Sequence, residues 1–196
     1  MSFEITHPPE LPFPRLLTAA DLAVFPDSLP SGDVSYELVA GSLRIQAPAD
    51  AWHGACLTKV AMELYSQGER QGHGIARIRV GTILQRDPDT VYAPDALFLM
   101  NRSLPVETSP EDYWATLPDL VVEVLGRNDN RAELERKAAD YRQAGVKVVW
   151  VADPFAKTIA IHRPAVAPQV LCEVDVLTAD EIIPGFQVSV AELFRV

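Results

Sequence analysis

The sequence predicts an α/β architecture: a central mixed β-sheet flanked by α-helices, with an N-terminal arm and hairpin ahead of it. Three observations predict it. From residue 50 onward, helix-like and strand-like segments follow one another in the order αβββαβ. The run Val146–Val151 is dense in β-branched residues, the composition of a strand covered on both faces. Gly68, Gly72 and Gly74 close the first long helical segment, and Asp87-Pro88-Asp89 makes a turn between the first two strands. With 196 residues the chain is long enough for one domain with a substantial core.

Each element has its own local reason. Residues 1–17 are expected to form a proline-rich extended arm, and 18–196 a single domain. Six of the 16 prolines (Pro8, Pro9, Pro12, Pro14, Pro26 and Pro30) lie in the first 33 residues, where they remove backbone donors and fix φ. Thr18 can cap a short helix through about Phe25, which must stop before Pro26. Residues 34–47 read as a hairpin, Tyr36–Val39 and Leu43–Ile45 flanking Ala40 and Gly41. Asp50 caps a helix to about Gln67, with Leu57, Val60, Ala61, Leu64 and Tyr65 at helical spacing. Residues 75–85, 91–99 and 118–125 read as three strands. Residues 131–144 form a helix, with Gly145 as its left-handed cap. The strand at 146–151 pairs back with 157–163, and the tail ends in a short strand near Phe186 and a helical turn at 190–194.

Composition excludes several function classes. Seventeen Lys and Arg against 27 Asp and Glu give a net charge of −10, which argues against nucleic-acid binding through a broad basic surface. Cys56 and Cys172 stand alone, outside any metal-ligand or disulfide pattern, and are expected to be small buried apolar residues. No segment approaches 18 apolar residues and no signal peptide opens the chain, so a cytoplasmic, reducing setting is expected. Gly41, Gly81 and Gly126 form neither a P-loop nor a dinucleotide fingerprint, and no nucleotide cofactor is expected. His7, His73 and His162 lack ligand spacing.

Three carboxylates fall where strands are expected. Glu37 interrupts the first hairpin strand, Asp95 lies mid-strand between Ala93 and Leu97, and Glu123 sits inside the run Leu120–Leu125. An ionised carboxylate in an apolar strand is costly unless paired or bound to a cation. Asp95 and Glu123 on neighbouring strands could hold one Mg²⁺ (or Mn²⁺), with waters and phosphate oxygens completing its shell. Arg77 and Arg79, expected on one face of the preceding strand, are alternative ion-pair partners or substrate contacts. His53 opens the helix at 51–67, where an exposed first-turn residue could touch phosphate or a water. Glu133, Lys137 and Tyr141 share one helical face, which can turn Lys137 back over the strand ends toward a scissile phosphate. Four arginines and no acid between 70 and 86, and six basic against four acidic residues between 127 and 147, offer a local phosphate-contacting rim.

These residues carry a family resemblance. Tyr36–Gly41, Ala93-Pro94-Asp95, Pro118–Leu125, Lys137–Asp153, Pro184-Gly185-Phe186 and Ala191–Phe194, in this order, resemble the Uma-type restriction endonuclease family, long catalogued as a domain of unknown function, within the PD-(D/E)XK nuclease superfamily. The resemblance spans about residue 18 to the C-terminus. It implies a restriction-endonuclease-like fold, Asp95 and Glu123 as metal ligands, and Glu37 as a supporting acid. The superfamily's lysine position, two residues after the second acid, is Leu125 here; the resemblance implies Lys137 on the next helix instead. Where relatives carry a Ser-Pro-Ser-like turn, this chain has Gly126-Arg127-Asn128-Asp129.

The expected function is a Mg²⁺-dependent endonuclease acting on DNA, with Glu37, Asp95, Glu123 and Lys137 as catalytic residues and Asp95 and Glu123 as metal ligands. Binding would be weak and metal-dependent. A homodimer is compatible with the way related nucleases reach two strands. Two alternatives stay open: a non-catalytic binding or dimerisation module on the same fold, and a hydrolase of small phosphodiesters.

Overall fold

The structure, a computed structural model, describes residues 15–26, 28–29, 32–46, 48–127 and 129–195. Most of the expected proline-rich arm, residues 1–14, lies outside the described residues. Helix α1 (Ala19–Leu22) starts at a reciprocal capping box between Thr18 and Asp21 and stops short of the expected Phe25. The pair β1 (Ser28–Leu29) and β2 (Gly32–Asp33) forms a two-residue ladder. The predicted hairpin is present as β3 (Ser35–Val39) and β4 (Ser42–Gln46). Its turn residues Ala40 and Gly41 both have positive φ, which matches the right-handed strand twist.

Asp50 caps α2 (Ala51–Glu63), accepting from the backbone N–H groups of Trp52 and His53. The expected last turn, to Gln67, is instead a π-helical segment over Leu64–Glu69, and Gly68 there packs so closely on Phe98 that a Cβ would lie 2.4 Å from the ring. The buried stripe of the helix is His53, Cys56, Val60 and Leu64, which leaves Tyr65 exposed, contrary to its expected place in the apolar face.

The expected strand 75–85 is two strands, β5 (Gly74–Ile78) and β6 (Thr82–Gln85). The expected strand 91–99 is also two, β7 (Thr90–Tyr92) and β8 (Ala96–Met100). Both break at the same place. Arg79, at φ +50°, donates its N–H to the carbonyl of Pro94 at 3.0 Å, so the two bends lie side by side. Pro94 has no N–H for a ladder, and a Cβ on Gly81 would lie 2.5 Å from the Tyr113 ring. Asp95 therefore stands at a bend, not mid-strand.

The chain continues through β9 (Leu120–Val124), α3 (Arg131–Ala144), β10 (Val148–Asp153) and β11 (Thr158–His162). Asn130 caps α3, and Gly145, at φ +117°, closes it as predicted. The tail adds β12 (Gln169–Cys172), β13 (Val176–Thr178), β14 (Gln187–Ser189) and α4 (Val190–Leu193). β12 and β13 were not expected; they are short, and exposed Val170, Val174 and Val176 give them no clean alternation.

Six strands form the main sheet in the order β12-β11-β10-β9-β8-β5, with β9 and β10 parallel and every other neighbour antiparallel. A second sheet runs β4-β3-β7-β6. Helices cover both faces of the main sheet. On one, Cys56, Val60 and Leu64 of α2 and Leu193 of α4 pack on Phe98, Val122, Trp150 and Ile161. On the other, Leu134, Ala138 and Tyr141 of α3 pack on Tyr92, Val121, Val149 and Val151. All five residues of β8 and of β9 are buried, as a doubly covered sheet requires. Alternation along β9 sends Leu120, Val122 and Val124 toward α2, and Val121 and Glu123 toward α3. Glu123 is thereby delivered beneath α3 at the junction of the two sheets.

Candidate functional site

A cleft of about 480 Å³ opens at that junction. Its walls are the β3–β4 hairpin, the capped start of α2, Arg79, the Tyr92–Asp95 bend, the end of β9 and the first two turns of α3. Glu37, Asp95, Glu123 and Lys137 all line it, and all four are buried. Asp95 immediately precedes Ala96, whose ladder partner is Val122, and its Oδ2 accepts from the Val124 N–H, so it is fixed beside Glu123 at the end of β9.

Lys137 ties the acids together. Its Nζ donates to Glu37 Oε1 at 2.9 Å and lies 2.9 Å from Glu123 Oε1. The ammonium also stands 5.0 Å from the Tyr92 ring centroid, a cation–π distance. Burial alone would lower the pKa of Lys137, but the Glu123 and Glu37 carboxylates reverse this and raise it above the usual lysine value. The lysine is therefore a fixed ammonium. Glu123 behaves in the opposite sense: burial pushes its pKa up, the ammonium of Lys137 draws it down, and the charges of Asp95 and Glu37 raise it again. The Tyr141 hydroxyl donates to Glu123 Oε1 at 2.7 Å and favours the ionised form.

The remaining acids are held by backbone and amide donors. Glu37 accepts from the Ala93 N–H at 3.0 Å and from Gln46 Nε2 at 2.6 Å. Asp95 Oδ2 accepts from the Val124 N–H at 2.9 Å and from His53 Nε2 at 3.0 Å. Asp95 Oδ1 lies 3.5 Å from an Arg79 guanidinium nitrogen. Asp50 binds the loop after β9 by accepting from the Arg127 N–H at 2.6 Å, so the cap of α2 also fixes the cleft rim. Cys56, beside Asp95, is buried as expected and is no nucleophile, since burial pushes its thiol up to about 12, whereas Cys172, expected to be buried too, is exposed on β12.

The structure brings together Glu37, Asp95, Glu123 and Lys137, with His53 and Arg79 on the same cleft. His53 is not the exposed first-turn residue its position predicted; it is buried against Asp95. Its spacing with Cys56, Val60 and Leu64 was the sequence signal for that burial. Arg77, expected beside Arg79, points elsewhere and pairs with Glu69 at 2.8 Å, because the bend at Arg79 ends the alternation. Gln46, Asp50, Arg44 and Arg127 also line the cleft and had no motif to single them out.

The profile of the Uma2 family, described as "Putative restriction endonuclease", matches residues 23–191. The chain belongs to the Uma2 family. No curated protein matches it. Among solved structures it is similar to the crystal structure of "a putative nuclease belonging to DUF820" from Anabaena variabilis. The TM-score is 0.76 and the identity 16%, with 91% of this chain and 97% of that chain covered. That likeness extends the Uma2 assignment to the fold: the two chains share one mixed α/β architecture nearly end to end.

Restriction-endonuclease-like families generally use divalent metals. Among the described residues no group of three or more His, Cys, Asp and Glu side chains converges as a metal cage. The donor set nevertheless fits Mg²⁺, which takes one or two carboxylates and keeps several waters. Both protein contacts to Glu123 fall on Oε1, and both donors to Asp95 fall on Oδ2. One oxygen of each acid thus accepts no hydrogen bond among the described residues, though Arg79 stands 3.5 Å from Asp95 Oδ1, and a cation held by both acids would offset the burial and like charge that raise Glu123.

Proposed function

We propose that this Uma2-family protein is a Mg²⁺-dependent endonuclease that hydrolyses phosphodiester bonds in DNA. The observation that carries the reading is the buried ammonium of Lys137 held between Glu37 and Glu123, with Asp95 fixed beside Glu123 by the Val124 N–H. A bound divalent ion would lower the pKa of a water and offset charge on the phosphate undergoing attack. Asp95 Oδ1 and Glu123 Oε2 would hold it. Glu37 does not compete for it, since both of its oxygens are already engaged, by Lys137 and Ala93 on one and Gln46 on the other.

Lys137 keeps its proton because two carboxylates outweigh its burial. It therefore orients the attacking water and faces the phosphate as a cation, and does not serve as the general base. Placement on α3 serves the purpose of the superfamily's strand lysine: from the second turn of the helix Lys137 reaches the Glu123 carboxylate, which the apolar side chain of Leu125 cannot neutralise. Arg44, Arg79, Arg127 and Arg136 stand around the cleft and supply positive charge where the molecule as a whole has −10. Engagement of nucleic acid through so small a basic rim depends steeply on salt.

The test is cleavage of supercoiled plasmid and of single-stranded DNA and RNA in Mg²⁺ or Mn²⁺, beside Asp95→Asn and Glu123→Gln. Nicking of DNA by the wild type, reduced at least about a hundredfold in both variants, is expected. Cleavage that survives both substitutions excludes this site. Absence of cleavage together with absence of a metal-dependent rise in Tm would make the domain a binding module, since a ligand bound only by the native state must stabilise it.

A further inference from the structure

Asp95 is contacted unequally on its two oxygens. Oδ2 is clamped by two donors from different elements, His53 Nε2 at 3.0 Å and the Val124 N–H at 2.9 Å, so the carboxylate cannot turn. Among the described residues Oδ1 meets only Arg79, at 3.5 Å. A committed charge-assisted pair closes to about 2.7–2.9 Å, and Lys137 does so with both of its acids. The Arg79 contact is longer and single, and its side chain is 40% exposed. Its backbone is the reverse: Arg79 sits at φ +50° with its N–H fixed to Pro94 at 3.0 Å, directly beside Asp95. A left-handed conformation at a non-glycine residue persists only where the surroundings hold it. The bend thus anchors a half-exposed guanidinium beside Asp95.

We propose that Arg79 is the resident counter-ion of the metal site: it neutralises Asp95 Oδ1 in the metal-free protein, yields that oxygen to the divalent ion, and turns its guanidinium to the substrate phosphate. This rests on the nuclease reading above and adds an exchange of cations to it. Release of Arg79 leaves the charge at Asp95 balanced, because one cation replaces another. The freed guanidinium stays on the cleft wall, where its planar fork suits two phosphate oxygens.

An arginine that competes with the metal makes a prediction opposite to that for an ordinary structural residue: removing it must tighten metal binding. The experiment is calorimetric titration of the full chain with Mn²⁺, comparing wild type with Arg79→Asn, Arg79→Gly, Arg77→Gln and Asp95→Asn. Asparagine and glycine both tolerate positive φ, so the bend survives, and a Tm for each variant confirms folding. The expected result is about fivefold tighter Mn²⁺ binding in both Arg79 variants, the scale of a half-exposed ion pair. Arg77→Gln removes the same charge from the same strand and should leave the affinity unchanged, while Asp95→Asn should abolish binding. Mn²⁺-loaded Arg79→Asn should bind a short phosphorothioate DNA more weakly than loaded wild type. Arg79 variants that bind Mn²⁺ no more tightly than wild type overturn the exchange, as does equal tightening by Arg77→Gln. A wild type that binds no Mn²⁺ overturns the metal reading and the exchange with it, a distinguishable outcome.

Discussion

Lys137 on α3 and Glu37 on β3, one hundred residues apart in the chain, are joined by a buried 2.9 Å hydrogen bond that links the main sheet's covering helix to the smaller sheet. Because the same ammonium also meets Glu123, one side chain bridges two acids that belong to different sheets. The cleft is the place where the two sheets are held to each other by charge.

Loss of that ammonium should be severe. Lys137→Met leaves two buried carboxylates without a cation and is expected to destabilise the fold by roughly 3–5 kcal/mol. Urea unfolding would measure it. Adding Glu37→Gln to Lys137→Met should recover part of the loss, because one of the stranded charges is then gone. A double variant no more stable than the single would show that the acids are not paired through Lys137.

Tyr141→Phe removes one donor to an ionised, fully packed acid. The expected cost is about 1.5–3 kcal/mol in the same assay. The tyrosine bond favours the carboxylate form, so its loss should raise the pKa of Glu123 further above the ordinary glutamate value. The acid limb of any pH–activity profile should therefore move to higher pH in Tyr141→Phe. A limb that stays in place would separate Glu123 from the activity.

His53 should make the metal-free protein's stability depend on pH. Burial alone lowers its pKa, but the hydrogen bond and charge of Asp95 outweigh this and raise it. A group whose pKa is raised on folding stabilises the native state while it is protonated in both states. That contribution is complete below about 6.5, the unfolded value, and fades as pH rises through the higher folded value. The Tm difference between wild type and His53→Asn should accordingly be larger near pH 6 than near pH 8. A difference that is flat or grows with pH would contradict the pairing.

Asp50 performs two tasks with one carboxylate, capping α2 and binding the Arg127 N–H. Asp50→Ala should cost about 1 kcal/mol for the lost cap. It should also speed hydrogen exchange at the Arg127 amide relative to amides in the middle of α3. Unchanged exchange there would mean that the loop is held by other contacts, such as Arg127 over the Phe155 ring at 5.6 Å.

Much of this protein was legible in its sequence because the responsible forces are local. Asp50 and Gly145 mark the helix boundaries they were read to mark. Ala40 and Gly41 turn the hairpin, and the β-branched run after Gly145 is a central strand. Glu37, Asp95 and Glu123 stood out because charge in an apolar segment needs a partner, Lys137 because it shares a helical face with Glu133 and Tyr141 and fits the family resemblance, and the four do share one cleft. The partners themselves were another matter. Alternation along an unbroken strand put Arg77 and Arg79 on one face and Asp95 in mid-strand. The fold breaks both strands at adjacent bends, sends Arg77 to Glu69, leaves Arg79 beside Asp95, and buries His53 beneath it. Those bends come from Pro94 meeting Arg79 across a strand gap and from Tyr113 seated on Gly81. Contacts between residues that far apart in the chain leave no period in the sequence. Local patterning determined which residues carry charge into the core; only the packing of one sheet against another decided which charges meet.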